Sequence, residues 1–300
     1  MKTETYNAHD EKKIYLCIWD DVASPKGVLQ IAHGMVEHIA RYDDFAKFMN
    51  ENGFIVAGDD HRAHGNTDPN TRGHIVGSKN VFADTVQDEI GITKMLKERY
   101  SLPVVLMGHS YGSFITQAVV AEGAENLSGV VLMGSALQKG MSVFFGNFIG
   151  SRRRRKGLSA EPGTTFIKQT FGKYEKQFKE EGPGAWLSRD KERVAKYAND
   201  PLCGFACTNG FYLSFFQGLK KIAASKNEKA DKNLKMLIVS GSQDPVGGNG
   251  KLVTKLYENY KAQGFNPQLK LYEGARHELL NETNRDEVSA DILEFVNSCL

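Results

Sequence analysis

Apolar positions along this chain fall into short continuous runs separated by longer stretches with helical spacing. Val28-Leu29-Gln30-Ile31-Ala32, Pro103-Val104-Val105-Leu106-Met107, Val130-Val131-Leu132-Met133 and Leu234-Lys235-Met236-Leu237-Ile238-Val239-Ser240 are unbroken enough to be covered on both sides, the pattern of strands inside a parallel sheet. The patterning predicts strands near residues 14–20, 28–32, 54–58, 103–108, 129–134, 234–240 and 268–273, and helices near 39–52, 80–100, 111–122, 249–263 and 283–298. Such alternation implies an α/β chain: a mostly parallel central sheet with helices on both faces. No internal repeat is visible. About a hundred residues separate Val130–Met133 from Met236–Val239, where a crossover needs only about a dozen. The excess predicts an inserted, mainly helical cap at 135–230, with the core formed by 1–134 and 231–300.

The chemistry starts at Gly108-His109-Ser110-Tyr111-Gly112, behind the Pro103–Met107 strand and ahead of the helical stretch Phe114–Val120. A tight turn here tips a serine oxygen out of the sheet, and Gly108 and Gly112 let neighbouring backbones come close. The plainer reading is a glycine-rich turn with a capping serine. A serine nucleophile also needs a histidine base and a carboxylate that holds the base's tautomer. Asp244 follows the Leu234–Ser240 strand in Gly241-Ser242-Gln243-Asp244-Pro245, and His277 follows the Leu269–Glu273 strand in Gly274-Ala275-Arg276-His277. An Asp before Pro often does no more than form a turn, and a lone loop histidine is often only surface. Three strand-end loops carrying Ser110, Asp244 and His277 in that order predict a triad, because sites on open parallel sheets form at the carboxyl ends of the strands. The expected oxyanion donors are the amide of Tyr111, after the nucleophile, and that of Met35, reached through His33-Gly34 after the first long strand.

Two further stretches carry a family resemblance. Ala32-His33-Gly34-Met35-Val36-Glu37-His38 with Arg41-Tyr42 looks like the H-G-x-x-E-H-x-x-R-Y segment of monoacylglycerol lipases and related lysophospholipases. Asp60-His61-Arg62-Ala63-His64-Gly65 is similar to their D-H-R-G-H-G loop, with Ala63 at the usual glycine. The G-H-S-x-G turn matches as well. The resemblance covers most of 14–134 and 234–298 and implies an α/β-hydrolase fold whose serine triad cleaves carboxylic esters, monoacylglycerols or lysolipids. It implies no cofactor, and it does not reach the cap. Short-chain esterases and aminopeptidases share the triad, and dehalogenases and epoxide hydrolases put an aspartate where Ser110 stands. A non-catalytic ligand-binding protein on the same scaffold need not keep all three triad residues.

Composition narrows the partners. The chain is 41% hydrophobic and 25% charged with a formal net charge of +2, ordinary for a globular protein and too balanced for a nucleic-acid binder. Residues 1–7 have no apolar signal core, and the four cysteines are too scattered for a disulfide framework, so a reducing cytoplasm is the expected location. Cys203 and Cys207 would lie one turn apart on a helix, where packing is the expected role. His33, His38, Asp60, His61 and His64 do not form a recognised metal-ligand set. The cap holds Phe144, Phe145, Phe148, Phe166, Phe171, Trp186, Phe205, Phe211, Tyr212, Phe215 and Phe216. These suit the wall of an acyl site, although most are expected to form the cap's own core. Val143–Ile149 precedes Arg152-Arg153-Arg154-Arg155-Lys156, which reads as a buried helix and a solvated charge run, or as a contact with an anionic membrane.

Overall fold

The computed structural model describes all 300 residues. Eight strands form one sheet: β1 (Lys2–Asn7), β2 (Lys13–Trp19), β3 (Gly27–Ala32), β4 (Phe54–Asp59), β5 (Val104–His109), β6 (Gly129–Met133), β7 (Lys235–Gly241) and β8 (Gln268–Tyr272). Their order is β1-β2-β4-β3-β5-β6-β7-β8. The β1–β2 and β2–β4 pairs are antiparallel and the rest are parallel. Seven strands lie within about a residue of the pattern-based positions. The hairpin partner β1 was not expected; its Lys2-Thr3-Glu4-Thr5 pattern offers almost no apolar face, as befits an edge strand.

Alternate residues of the central strands bury on opposite faces. Leu29, Ile31, Val105, Met107, Val131 and Val239 pack with α1 (Asp43–Glu51) and α9 (Arg285–Ser298) through Phe45, Met49, Val288 and Ile292. Leu106, Val130, Leu132, Met236 and Ile238 pack on the other face with α2 (Val81–Tyr100), α3 (Tyr111–Glu122) and α8 (Lys251–Ala262). This arrangement is the α/β-hydrolase fold. Between β6 and β7 the chain forms α4 (Met141–Arg155), α5 (Thr164–Gln177), α6 (Lys191–Asn199) and α7 (Asn209–Ala224). α7 packs on α2, α3 and α4, seating the inserted helices over the sheet.

Two local expectations need correction. α4 is not a buried helix: Met141, Phe144, Phe145 and Phe148 are all exposed, and the arginines continue the same helix. Cys203 and Cys207 lie in an irregular stretch and do not share a helix face. Ala63 adopts a left-handed φ of 65°. An L-residue pays about 1–2 kcal/mol there, which accounts physically for glycine at this place in the motif it resembles.

Candidate active site

β5 ends at His109 and α3 starts at Tyr111, leaving Ser110 alone in the turn with φ 51° and ψ −114°. A serine held in that sparsely populated conformation is strained, and the surroundings enforce it: its amide donates to the Met133 carbonyl at 2.9 Å. A Cβ on Gly112 would strike the Ala32 carbonyl oxygen, and one on Gly108 the Gly112 carbonyl, so only glycine permits this approach of α3 to β3 and β5.

Asp244 and His277 come to the same point from the loops after β7 and β8. His277 Nε2 lies 2.8 Å from Ser110 Oγ, and His277 Nδ1 lies 3.1 and 3.0 Å from the two Asp244 oxygens. The carboxylate accepts the Nδ1 proton, leaving Nε2 as acceptor for the serine hydroxyl. Asp244 is fully buried and also accepts from the Val246 amide and the Ser240 hydroxyl. Burial works to raise its pKa, but His277 and these hydrogen bonds outweigh burial and hold it below the usual carboxylate value. The His277 loop is fastened by the turn between α5 and α6: its amide donates to the Trp186 carbonyl, the Glu278 amide to the Leu187 carbonyl, and the Trp186 ring lies 5.2 Å from the imidazole.

Met35 sits on a turn that three histidines hold. His33 Nε2 accepts from the His61 amide, so its other nitrogen carries the proton and donates to the Gly34 carbonyl at 2.7 Å. In a trans peptide the following N–H points the opposite way, and the Met35 amide therefore faces away from His33, with no acceptor in the chain. The next amide, Val36, donates to His64 Nε2. His61 Nε2 donates to the His33 carbonyl, and its Nδ1 faces Asp59. Burial and the nearby Asp59 charge push Glu89 well above the usual range, so it retains a proton. Asp59 Oδ1 and Glu89 Oε1, otherwise without hydrogen-bond partners, then satisfy each other. Burial lowers His33, and burial brings His64 down to about 4, which keeps both rings neutral for these roles. Tyr111, first residue of α3, has an amide without an intrahelical partner. The predicted Ser110, Asp244, His277, Met35 and Tyr111 thus meet in one place, with His33, Gly34, Gly108 and Gly112 shaping it. His38 does not join them, pairing instead with Asp200 at 2.9 Å.

Two cavities meet at Ser110, and both include Met35 and Phe171 in their walls. The larger, about 820 Å³, runs under α4, α5 and α7 and is walled by Phe114, Phe145, Ile149, Phe166, Phe215, Phe216 and Leu219 among others. The smaller, about 360 Å³, is bounded by Trp186, Tyr197, Phe205 and Tyr212 together with Glu37, Glu175 and Glu278. Most of the inserted aromatic rings therefore line a cavity, more than the expectation of a self-contained core allowed. Trp186, Glu175 and Glu278 had no distinguishing sequence pattern, whereas Glu37 and Arg41 lay in the H-G-x-x-E-H-x-x-R-Y segment without a role.

A serine hydroxyl on an imidazole, an imidazole on a carboxylate and a free amide turn beside them can perform acyl transfer. Similar proteins agree with this chemistry. A monoglyceride lipase of Mus musculus is 28% identical, the match covering 96% of this chain and 87% of that protein. A monoacylglycerol lipase of Mycolicibacterium smegmatis is 27% identical, with 96% and 94% covered. The crystal structure of a thermostable carboxyl esterase from Bacillus coagulans in complex with glycerol superposes with a TM-score of 0.90 at 28% identity, covering 99% and 98% of the two chains. The Hydrolase_4 family, described as serine aminopeptidase S33, matches residues 23–284, and the chain belongs to that family.

Proposed function

We propose that this protein is a serine carboxylic-ester hydrolase acting on monoacylglycerols, with Ser110 as nucleophile, His277 as base and Asp244 as its orienting carboxylate. His277 takes the hydroxyl proton as Ser110 attacks the ester carbonyl, and the Met35 and Tyr111 amides receive the oxyanion. The alcohol leaves with the proton from His277, and water repeats the sequence on the acyl-enzyme. Names of the relatives support the ester class over peptides. Residues 135–230 serve as the cap that encloses the acyl chain.

The observation that carries the substrate assignment is the unequal pair of cavities that meet at Ser110. The large apolar one suits an acyl chain; the small one suits a compact polar alcohol. Glu37 and Glu278 pair with Arg41, but Glu175 is held only by the Gly184 amide and the Trp186 indole, and no lysine or arginine lines the small cavity. An uncompensated carboxylate there disfavours a phosphate-bearing alcohol and so favours glycerides over lysophospholipids.

Turnover of a chain-length series tests this. Each buried methylene contributes about 0.8 kcal/mol, so kcat/KM is expected to rise about fourfold per added CH2 until the cavity is full and then to level off. A flat series, faster turnover of lysophospholipids, or preference for amino-acid arylamides would overturn the assignment.

α4 supports a membrane contact in the same reading. Its face bearing Met141, Phe144 and Phe148 points to solvent, its last turn carries Arg152–Arg155, and its inner face with Val143, Gly146 and Ile149 roofs the large cavity. Apolar rings that enter the acyl boundary beside cations worth about 1 kcal/mol each would bring the cavity to a source of lipid. No helix is long and apolar enough to cross a membrane. The protein is expected to sediment with phosphatidylglycerol vesicles, less so as salt rises, and the F144S/F148S variant to lose at least about tenfold in affinity. Absence of sedimentation at low salt would end the membrane reading.

A further inference from the structure

His109, the residue before Ser110, is buried and plays no part in the acyl-transfer steps. Its Nδ1 lies 3.1 Å from Glu37 Oε1 and its Nε2 lies 3.3 Å from the main-chain oxygen of His277. Glu37 also accepts from the Gly34 amide at 2.5 Å, from the Tyr42 hydroxyl at 2.9 Å and from Arg41, so its carboxylate is an acceptor on every side. A carbonyl oxygen cannot donate. The Tyr42 hydroxyl also lies 3.1 Å from Nδ1, but it gives its single proton to Glu37 at the shorter 2.9 Å, so both ring nitrogens of His109 face groups that accept, and satisfying both requires a proton on each.

We propose that His109 is a positioning residue, an imidazolium that ties the Ser110 turn to the Gly34–Met35 turn through Glu37 and to the His277 loop through its carbonyl. The inference rests on the triad and oxyanion roles proposed above. Each of the three loops receives one fastening from this group. Arg41 closes the frame, pairing with Glu37 and, through both terminal nitrogens, with Glu278 next to His277. Two cations and two carboxylates make the buried frame neutral overall, which lowers the cost of burying each charge.

The groups facing His109 are Glu37 from the turn after β3, Arg41 and Tyr42 from the 3-10 turn that follows it, and His277 and Glu278 from the loop after β8. Burial acts to lower the imidazole pKa, but Glu37 reverses that and the value is raised above the ordinary 6.5 or so. The contribution of such a group is complete below the ordinary value and is lost as pH rises through the raised one. On deprotonation the proton facing the carboxylate stays, the Nε2 proton leaves, and the His277 carbonyl loses its donor. The rate is thus expected to fall on the alkaline side.

The experiment combines pH–rate profiles of wild type, His109→Gln and Glu37→Gln with nitrogen NMR of histidine-labelled wild-type protein assigned through bonds. A glutamine amide donates from one end only. His109→Gln is expected to lower kcat about 10–100-fold with KM within about twofold and to abolish the alkaline fall; Glu37→Gln should move that fall to lower pH. In wild type at neutral pH, His109 should carry protons on both ring nitrogens. A singly protonated His109 ring, or an alkaline fall unchanged in both variants, would overturn the proposal. Ser110 is intact in all three proteins, so phosphonate labelling run in parallel separates the two ideas: failure of wild type to label would strike the triad reading, while the NMR would still decide the protonation of His109.

Discussion

Ser110→Ala is expected to abolish labelling by a fluorophosphonate and to reduce ester hydrolysis by at least about 10⁴-fold, with folding unaffected. Removing the nucleophile of a serine triad costs up to about 10⁶ in kcat, and the remainder left by the oxyanion donors and binding alone is small. The fold should not register the change. The main-chain bonds at this turn, from the Ser110 amide to Met133 and from the Ser113 and Phe114 amides to the Ser110 carbonyl, do not involve the hydroxyl. Alanine also pays the same price at φ 51° as serine does, so the thermal midpoint should move by no more than a degree or two. Binding should survive as well, because both cavities keep their walls. Affinity for a non-hydrolysable glyceride ether therefore separates loss of chemistry from loss of shape. Retention of a tenth of the wild-type rate in the folded variant would remove Ser110 from the reaction.

What the sequence discloses and what it hides divide along physical lines. Strands such as Val104–His109 are buried on both faces, and a parallel sheet imposes that requirement on composition, so they stand out as apolar runs. β1 escapes because an edge strand with one wet face can be built from lysine, threonine and glutamate. Ser110 and Asp244 are legible because they follow such runs, and His277 because it follows the shorter edge strand β8, in loops that the topology brings together. The fastening of those loops is not legible. Glu37 and Glu278 are 241 residues apart, a separation that no spacing pattern reveals, and only the fold sets Arg41 between them. The inserted helices are the least legible part. α4 is apolar on both its inner face, which covers a cavity, and its outer face, which meets solvent, so its periodicity is weak and reads as simple burial.

Asp244→Asn should be nearly as damaging as loss of the nucleophile, although it changes one atom. Asp244 Oδ1 accepts from the Val246 amide at 2.8 Å, so the asparagine oxygen must take that place and its NH2 the other. There the NH2 can donate to Ser240 Oγ, which lies 3.2 Å from Oδ2 in the wild type, and also faces His277 Nδ1. A donor facing Nδ1 makes that nitrogen the acceptor and shifts the imidazole proton to Nε2. It then points at Ser110 and cannot receive the serine's proton. The expected loss is about 10⁴-fold in kcat with KM within about twofold, and labelling by the fluorophosphonate should slow in proportion. Asp244→Ala makes the comparison sharp. It removes the carboxylate without presenting a donor, so the tautomer is left free and the loss should be no greater than with asparagine, even though alanine is the larger structural change. If Asp244→Asn stayed within tenfold of wild type, or if alanine were far the worse of the two, Asp244 would be acting as packing and charge rather than as the group that sets the proton on His277.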